Sequence, residues 1–468
     1  HNEYNAANYS ADDCTNAKKN WLLSIVGSPE VNDMENADIA ARVNSITNSA
    51  VSARKFLVRD SASGELFSDM DSKESADITT AYERVQSMAY AYGCSGSPLY
   101  MDKDLGDDIK YSLDWLKANR YNEDSYSRSA NADWIPTGFN NWWDWDIGVP
   151  AKLVNILMVT EGMFNSKQID EYLAFYNRRV PIPRMTGANY TDMAFGVIGS
   201  ALLKNDVEKV VRVQTLLTKT FLYADDNDRF AESLLDARRA SYTDIKGAGF
   251  FTDGSYILHT LHPHLGSYGL VQMNTFSKIL SLFANTNLSM NIPFTDNVMQ
   301  IYENSFKPVI YDNKLFRWTM GRGPERNAAE VQPVCNMFVM SDYFDDDAKS
   351  RIYSDIKSAA LGNYSLVKAK LPLSHLKKLE EIMNDESVKS SEEKNLNKVY
   401  YNSDKVIHKR DRWSMAVSMS SARIFNYESI NNQNTNGWYL SDGRTEYYLR
   451  GNDINSTEAY YSAVDKYR

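Results

Sequence analysis

Up to about residue 385, apolar positions recur at the three- and four-residue spacing of a helix face. In Asp77–Tyr92 the stripe is Ile78, Ala81, Val85, Met88 and Ala89; Tyr111–Leu116, Ala151–Met163 and Met193–Leu203 repeat the pattern. Turns such as Gly96-Ser97-Pro98 and Pro181-Ile182-Pro183 separate these short helical stretches. The β-branched runs that a parallel α/β fold sets between its helices do not recur. An array of antiparallel helix pairs is expected instead.

The pattern changes at Glu386–Lys398, a polar and charged stretch that reads as a linker. Beyond it, Val399–Tyr401 and Trp413–Ser420 read as strands, because bulky apolar residues there alternate with small ones. Ala422–Tyr427 reads as a further extended stretch. The expected organisation is a helical domain over residues 1–390 and the beginning of an antiparallel β-sheet domain over 391–468, short enough to be the start of a larger one.

Charge narrows the function. The 468 residues carry 51 Lys+Arg against 61 Asp+Glu, a net charge of −10, which disfavours nonspecific nucleic-acid binding. No run of about 18 apolar residues suggests a membrane span. The chain begins at His1 without Met, which fits a mature secreted protein, so an extracellular location is expected. The three cysteines, Cys14, Cys94 and Cys335, form no metal pattern; a Cys14–Cys94 bridge is open to an oxidising compartment. Aromatic residues make up 12% of the chain, which serves either core packing or platforms for sugar rings.

Four segments carry candidate chemistry. In Phe139–Pro150, Trp142, Trp143 and Trp145 cannot all enter one core from one helix face, so some are expected to line a cleft. Thr186–Asp192 opens a helical stretch, where Asn189 either caps the helix or offers its amide to a carboxylate. Thr252–Gly269 holds His259, His262 and His264, with Tyr268 between Gly266 and Gly269. A metal reading of this cluster is weakened by Pro263, which breaks any helix aligning His259 with His262, and by the lack of a nearby Cys or Glu. In Phe316–Arg326, Arg322 and Arg326 flank Gly323 and Pro324, a shaped turn suited to an anionic ligand.

Together these segments resemble polysaccharide lyase family 8, which contains hyaluronate, chondroitin AC and xanthan lyases. The resemblance rests on NWWDWDIGVP at 141–150, TGAN at 186–189, DGSYILHT at 253–260, GSYG at 266–269, GRGPER at 321–326 and HKRDRWSMAVSMSSARIFNYESIN at 408–431, in the family's order. It implies an incomplete α/α toroid of helix hairpins followed by antiparallel β-sheet domains. It also implies cleavage of an acidic polysaccharide by β-elimination. By matching position, Asn189, His259, Tyr268, Arg322, Arg326 and Glu428 are the implied catalytic group. Trp142, Trp143 and Asn431 are the implied substrate contacts; His264 is counted with them as a candidate contact, outside the family pattern. The chain departs from the family at Pro324 and Glu325 in the arginine turn, at His262 and His264, and in an apparent insertion around Ala224–Lys246.

The chemistry explains why such residues are needed. The C5 proton of a uronic acid is weakly acidic, because its removal puts negative charge beside a carboxylate. Amide and imidazole groups such as those of Asn189 and His259 can neutralise that carboxylate. One group can then take the C5 proton and protonate the departing O4 where both lie on the same face. Tyr268 suits this task, since a phenol ordinarily ionises near pH 10 and a neighbouring arginine favours its ionised form. No metal or other cofactor is required. Glucuronate and mannuronate share their C4 and C5 configuration, so alginate, hyaluronan, chondroitin and xanthan all remain open as substrates. A monomer is expected. Two rivals stand beside this reading. One is an α/α-toroid glycoside hydrolase drawing paired carboxylates from Asp144, Asp146, Asp192 and Asp253. The other is a non-catalytic protein that binds acidic glycans.

Overall fold

The structure is a computed structural model. It describes residues 9–60, 62–130, 140–224, 248–259, 261–289, 295–324, 330–422 and 424–451. Helices α1 (Ala11–Ile25), α2 (Ala37–Arg54), α3 (Ser75–Gly93), α4 (Lys103–Asn119), α5 (Glu123–Arg128), α6 (Val149–Thr160), α7 (Ser166–Arg179), α8 (Gly187–Leu203) and α9 (Val207–Leu217) follow one another along the chain. Later come the helices Leu270–Leu282, Gln332–Val339 and Asp346–Lys370. The stripe expected in α3 is real: Ile78, Ala81, Val85, Met88 and Ala89 are all buried. α3 packs between α2 and α6, and α8 between α6 and Leu270–Leu282. α6 and α8 are apolar on nearly every side, as helices enclosed by neighbours must be. A polar group inside this core is satisfied: Trp21 Nε1 donates to Asn155 Oδ1 at 2.8 Å. Cys14 and Cys94, for which the sequence left a bridge open, are separate buried thiols. Burial pushes both up to about 11.

Small strands interrupt the helices. β1 (Gly249–Phe250), β2 (Tyr256–Leu258) and β3 (His262–Pro263) form a three-stranded antiparallel sheet where the sequence suggested only a loop. β4 (Ile310–Tyr311) and β5 (Lys314–Leu315) make a hairpin just before the arginine turn. After the linker, β6 (Leu396–Tyr400), β7 (Lys405–Lys409), β8 (Trp413–Ser418) and β9 (Arg444–Leu449) form an antiparallel sheet in that order.

Two of these strands escaped the sequence reading for a physical reason. β7 buries Lys405, Ile407 and Lys409, so its inward face carries two lysines. Lys409 is paired with Glu393 at 2.7 Å. Lys405 Nζ donates to Met419 O at 2.6 Å and to Ser441 Oγ at 3.1 Å, and burial pulls its amine down to about 8. β9 likewise turns Glu446 inward beside Tyr448. Among the described residues of Ala422–Tyr427, expected to be extended, none lies in a strand. Only Ser421 and Ile424 bridge, and the stretch belongs to the loop between β8 and β9. Lys405 ties the two ends of that loop together.

The sheet docks on the helical domain through polar pins. Glu446 accepts from the backbone N–H groups of Arg317 at 2.6 Å and Trp318 at 2.7 Å. Asp253 accepts from Asn402 N, and Tyr400 Oη donates to Ser305 O, each at 2.9 Å. Among the described residues, no helix is long and apolar enough to cross a membrane.

The best-defined charge in the helical core is Asp146, 1% exposed and paired with Arg179 at 2.7 Å and with Arg184. Asp146→Ala would strand both guanidiniums. It is expected to cost about 3 kcal/mol, measured by chemical denaturation; unchanged stability would contradict this account of the core.

Candidate active site

Three turns and one loop meet at a single carboxylate, the third turn being Gly321–Arg322 after the short helix Arg317–Met320. The first turn joins β2 to β3, where Leu258 pairs with His262, and it carries His259 at its start. The second is the five-residue π-helical turn Leu265–Gly269 leading into Leu270–Leu282, which holds Tyr268. Such π-turns often mark functional positions. The loop is the one between β8 and β9, whose Glu428 points inward.

Glu428 is almost fully buried, and three side chains converge on it. His259 Nδ1 lies 2.5 Å from Oε1, His264 Nε2 lies 2.5 Å from Oε2, and Arg322 Nη1 lies 3.3 Å from Oε2. Burial opposes a charge on Glu428, but hydrogen bonds from the two imidazoles outweigh it and hold the carboxyl far below the usual carboxylate range. An ionised carboxylate only accepts, so both facing ring nitrogens carry protons. His264 is 1% exposed, and burial pushes it down to about 4, so the ring is neutral and its Nδ1 accepts from Ser267 Oγ at 2.8 Å. For His259, donation from Nδ1 leaves Nε2 on the far side of the ring, available to a ligand.

Arg322 joins this carboxylate to Tyr268. Its Nη2 donates to Tyr268 Oη at 2.9 Å and its Nε donates to Gln433 Oε1 at 2.9 Å. Burial works against the guanidinium charge, yet Tyr268 and Glu428 outweigh it and raise the pKa, so Arg322 is a permanent cation. The rings pack edge to face, with Tyr268 5.0 Å from His259 and 4.9 Å from His264. Glycines permit this density. Gly321 has φ +58°, and a Cβ there would lie 2.1 Å from His264 Nδ1. A Cβ on Gly266 would lie 2.2 Å from Thr319 Oγ1.

Of the other expected residues, Asn189, Trp142, Trp143 and Asn431 are described and Arg326 is not. Asn189 stands half-buried in the first turn of α8. Two residues earlier, a Cβ on Gly187 would meet Tyr256 Oη at 2.8 Å and Leu258 Cδ1 at 3.0 Å, so the start of α8 packs against β2. Trp142 and Trp143 are 38% and 37% exposed, whereas Trp145 is buried and donates from Nε1 to Asn140 Oδ1. The tryptophans therefore split between surface and core. Asn431 sits exposed at the tip of a two-residue turn with Asn432, both left-handed (φ +55° and +58°). Among the described residues, the hydrogen bonds that knit the cluster do not involve Asn431. Arg326 and residues 225–246 of the expected insertion lie outside the described residues.

His264, expected to touch substrate, is 1% exposed: its Nδ1 accepts from Ser267 Oγ and its Nε2 lies against Glu428 Oε2. Gln433 was missed. A lone Gln in an Asn-rich loop gives no signal until the fold brings it to Arg322.

The four aspartates of the hydrolase rival are all committed elsewhere. Asp144 accepts from Ser75 and Thr79, Asp146 pairs with two arginines, Asp192 accepts from Thr275, and Asp253 accepts from Ser255 and Asn402. His259, His264 and Glu428 could be read as a metal triad. Their atoms are already in direct contact, and a guanidinium shares the same carboxylate, so a cation would have to displace protons and sit beside Arg322.

The buried network sets an acid limit on stability. The unfolded chain protonates a His near pH 6.5, while folded His264 resists protonation until about 4. Stability is therefore lost as pH falls through that window. Glu428, with its depressed carboxyl, adds a further loss as pH falls below the usual carboxylate range. His264→Gln is expected to remove a slope on the order of 3 kcal/mol between pH 6.5 and 4. Melting curves across that range read it; parallel curves for both proteins would contradict it.

Comparison with known proteins agrees with this geometry. The profile for "Polysaccharide lyase family 8, N terminal alpha-helical domain" matches residues 21–244 and 238–358, and that for the family's super-sandwich domain matches 395–468. A xanthan lyase from Bacillus sp. (strain GL1) is 27% identical over 477 residues, covering 98% of this chain and 47% of that protein. Hyaluronate lyase HylB from Enterococcus faecalis is 24% identical, covering 96% and 44%. The solved Paenibacillus xanthan lyase superposes with a TM-score of 0.80 at 24% identity, over 94% of this chain and 40% of that one. A Streptomyces coelicolor A3 chondroitin AC lyase, solved with chondroitin sulphate, also gives 0.80 at 22% identity, over 96% and 59%. The chain thus spans about half the length of the curated relatives it matches. With both family profiles matched along most of its length, and an α/α-toroid fold followed by an antiparallel sheet, the chain belongs to polysaccharide lyase family 8.

Proposed function

We propose that this protein is a polysaccharide lyase that cleaves a uronate-containing polysaccharide by metal-independent syn β-elimination. The observation that carries the reading is the Arg322 bridge, which donates to Tyr268 Oη and to Glu428 at once. A fixed cation at Oη stabilises negative charge on that oxygen. Tyr268 takes the C5 proton from the sugar. The electron pair of the C–H bond forms the C4–C5 double bond as the C4–O4 bond breaks. The same Tyr268 then returns the proton to the departing O4. His259 Nε2 and the Asn189 amide hydrogen-bond to the uronate carboxylate and offset the charge that develops on it. Glu428 and Gln433 hold Arg322 and His259 in aim without touching the sugar.

Trp142 and Trp143 supply a platform for the C–H faces of neighbouring rings. The relatives' names include xanthan, hyaluronate and chondroitin AC lyases, which supports an acidic glycan containing glucuronate. Mannuronate of alginate has the same C4 and C5 geometry and belongs to the same proposal. With His259 Nε2 and the Asn189 amide as the carboxylate's donors, the proposed chemistry needs no metal. The protein is proposed to act outside the cell, as a monomer.

Each substrate in a panel of hyaluronan, chondroitin, xanthan and polymannuronate is to be followed by ultraviolet absorbance, since elimination leaves a 4,5-unsaturated uronate and hydrolysis does not. At least one is expected to give the chromophore, and chain cleavage without absorbance would refute elimination. On that substrate, Tyr268→Phe should lower kcat by about 10²–10⁴-fold with polysaccharide binding retained. Wild-type turnover in Tyr268→Phe would remove Tyr268 from the chemistry.

A further inference from the structure

His262 lies outside the carboxylate network, and the mechanism above does not use it. Its surroundings give it a task. His259 sits at φ +49°, in the left-handed region that a residue with a Cβ seldom adopts. β2 and β3 pair Leu258 with His262, so the chain must reverse within the three residues between them. That reversal places His259 with its ring toward Glu428. A conformation of this kind persists only where its surroundings hold it.

Two donors hold the His259 carbonyl. Leu261 N donates to it at 3.1 Å, and His262 Nδ1 donates to it at 2.7 Å. The acceptor is a carbonyl, so the proton of His262 is assigned to Nδ1. The His262 ring in turn lies 5.0 Å from the Phe425 ring. Phe425 N donates to Leu261 O at 3.0 Å, and three residues later Glu428 receives His259 Nδ1. One segment of the β8–β9 loop therefore grips the histidine turn at its backbone and at its catalytic ring.

We propose that His262, backed by Phe425, is a positioning residue: it clamps the left-handed backbone of His259 and so fixes the direction in which His259 Nε2 meets the uronate carboxylate. The clamp also couples the two domains, because the turn comes from the helical domain and Phe425 from the β domain.

The proposal rests on the assignment of His259 to the uronate carboxylate, so the test separates the two. His262→Ala, His262→Asn and His259→Gln are compared by steady-state kinetics on the substrate found by the absorbance panel, with melting temperatures recorded for each. Loss of aim predicts a fall in kcat of about 10- to 100-fold in His262→Ala with little change in KM. His262→Asn, whose amide can donate to the same carbonyl, should recover part of that loss, and it carries the test if the alanine variant does not fold. Wild-type kcat in His262→Ala beside an inactive His259→Gln would overturn the clamp and leave the lyase reading intact. Equal losses in the Ala and Asn variants, or a rise in KM alone, would also overturn it. Wild-type turnover in His259→Gln would overturn the assignment on which it rests.

Discussion

The site depends on one buried carboxylate. Glu428 has to be ionised inside the protein, and an unpaired charge there would be prohibitive. It is tolerated because His259, His264 and Arg322 all face it within 3.3 Å. These partners come from separate turns of the helical domain, while Glu428 comes from a loop of the β domain. Satisfying that single charge therefore fixes the docking of the two domains and the mutual positions of His259, Arg322 and Tyr268. The same logic explains the other polar pins. Glu446 caps the turn that leads to Arg322, and Lys405 ties the ends of the loop that carries Glu428. The chemistry is local, but the restraint that aims it is spread over both domains.

The helical part of this architecture was legible because its core obeys a simple period. Ile78, Ala81, Val85, Met88 and Ala89 recur on one face, and the fold buries that face. β8 was legible for a similar reason, as its bulky and small residues alternate. β7 and β9 were not, because Lys405, Lys409 and Glu446 occupy inward positions where alternation predicts apolar residues. Their burial depends on partners far away in sequence, such as Glu393, Met419, Ser441 and the Arg317 backbone. No local pattern encodes a partner of that kind.

The site shows the same division. Short motifs with unusual composition, such as the Gly-flanked Tyr268 and the Gly-Arg turn, were visible in the sequence, and the fold brings Arg322 Nη2 to Tyr268 Oη at 2.9 Å. Roles within the site were less visible. His264 looked like a substrate contact because histidine in a loop usually is exposed or functional. Only the fold shows Gly321 pressed against its ring and Glu428 beyond it. Gln433 carries no motif at all, and His262 was visible only as one of three clustered histidines. Their meaning comes from the atoms they meet, an arginine Nε in one case and a strained carbonyl in the other.

The central claim is that Glu428 organises the reacting groups through hydrogen bonds that only a carboxylate can accept in full. Turnover and melting temperature of Glu428→Gln, measured side by side, test it most directly. The amide keeps the shape but presents N–H where one of the donors points. The account predicts a folded protein whose kcat falls at least about 100-fold, because Arg322 and His259 lose their common acceptor. A folded Glu428→Gln protein with turnover within about twofold of wild type, well inside the range expected for a misaligned site, would contradict it.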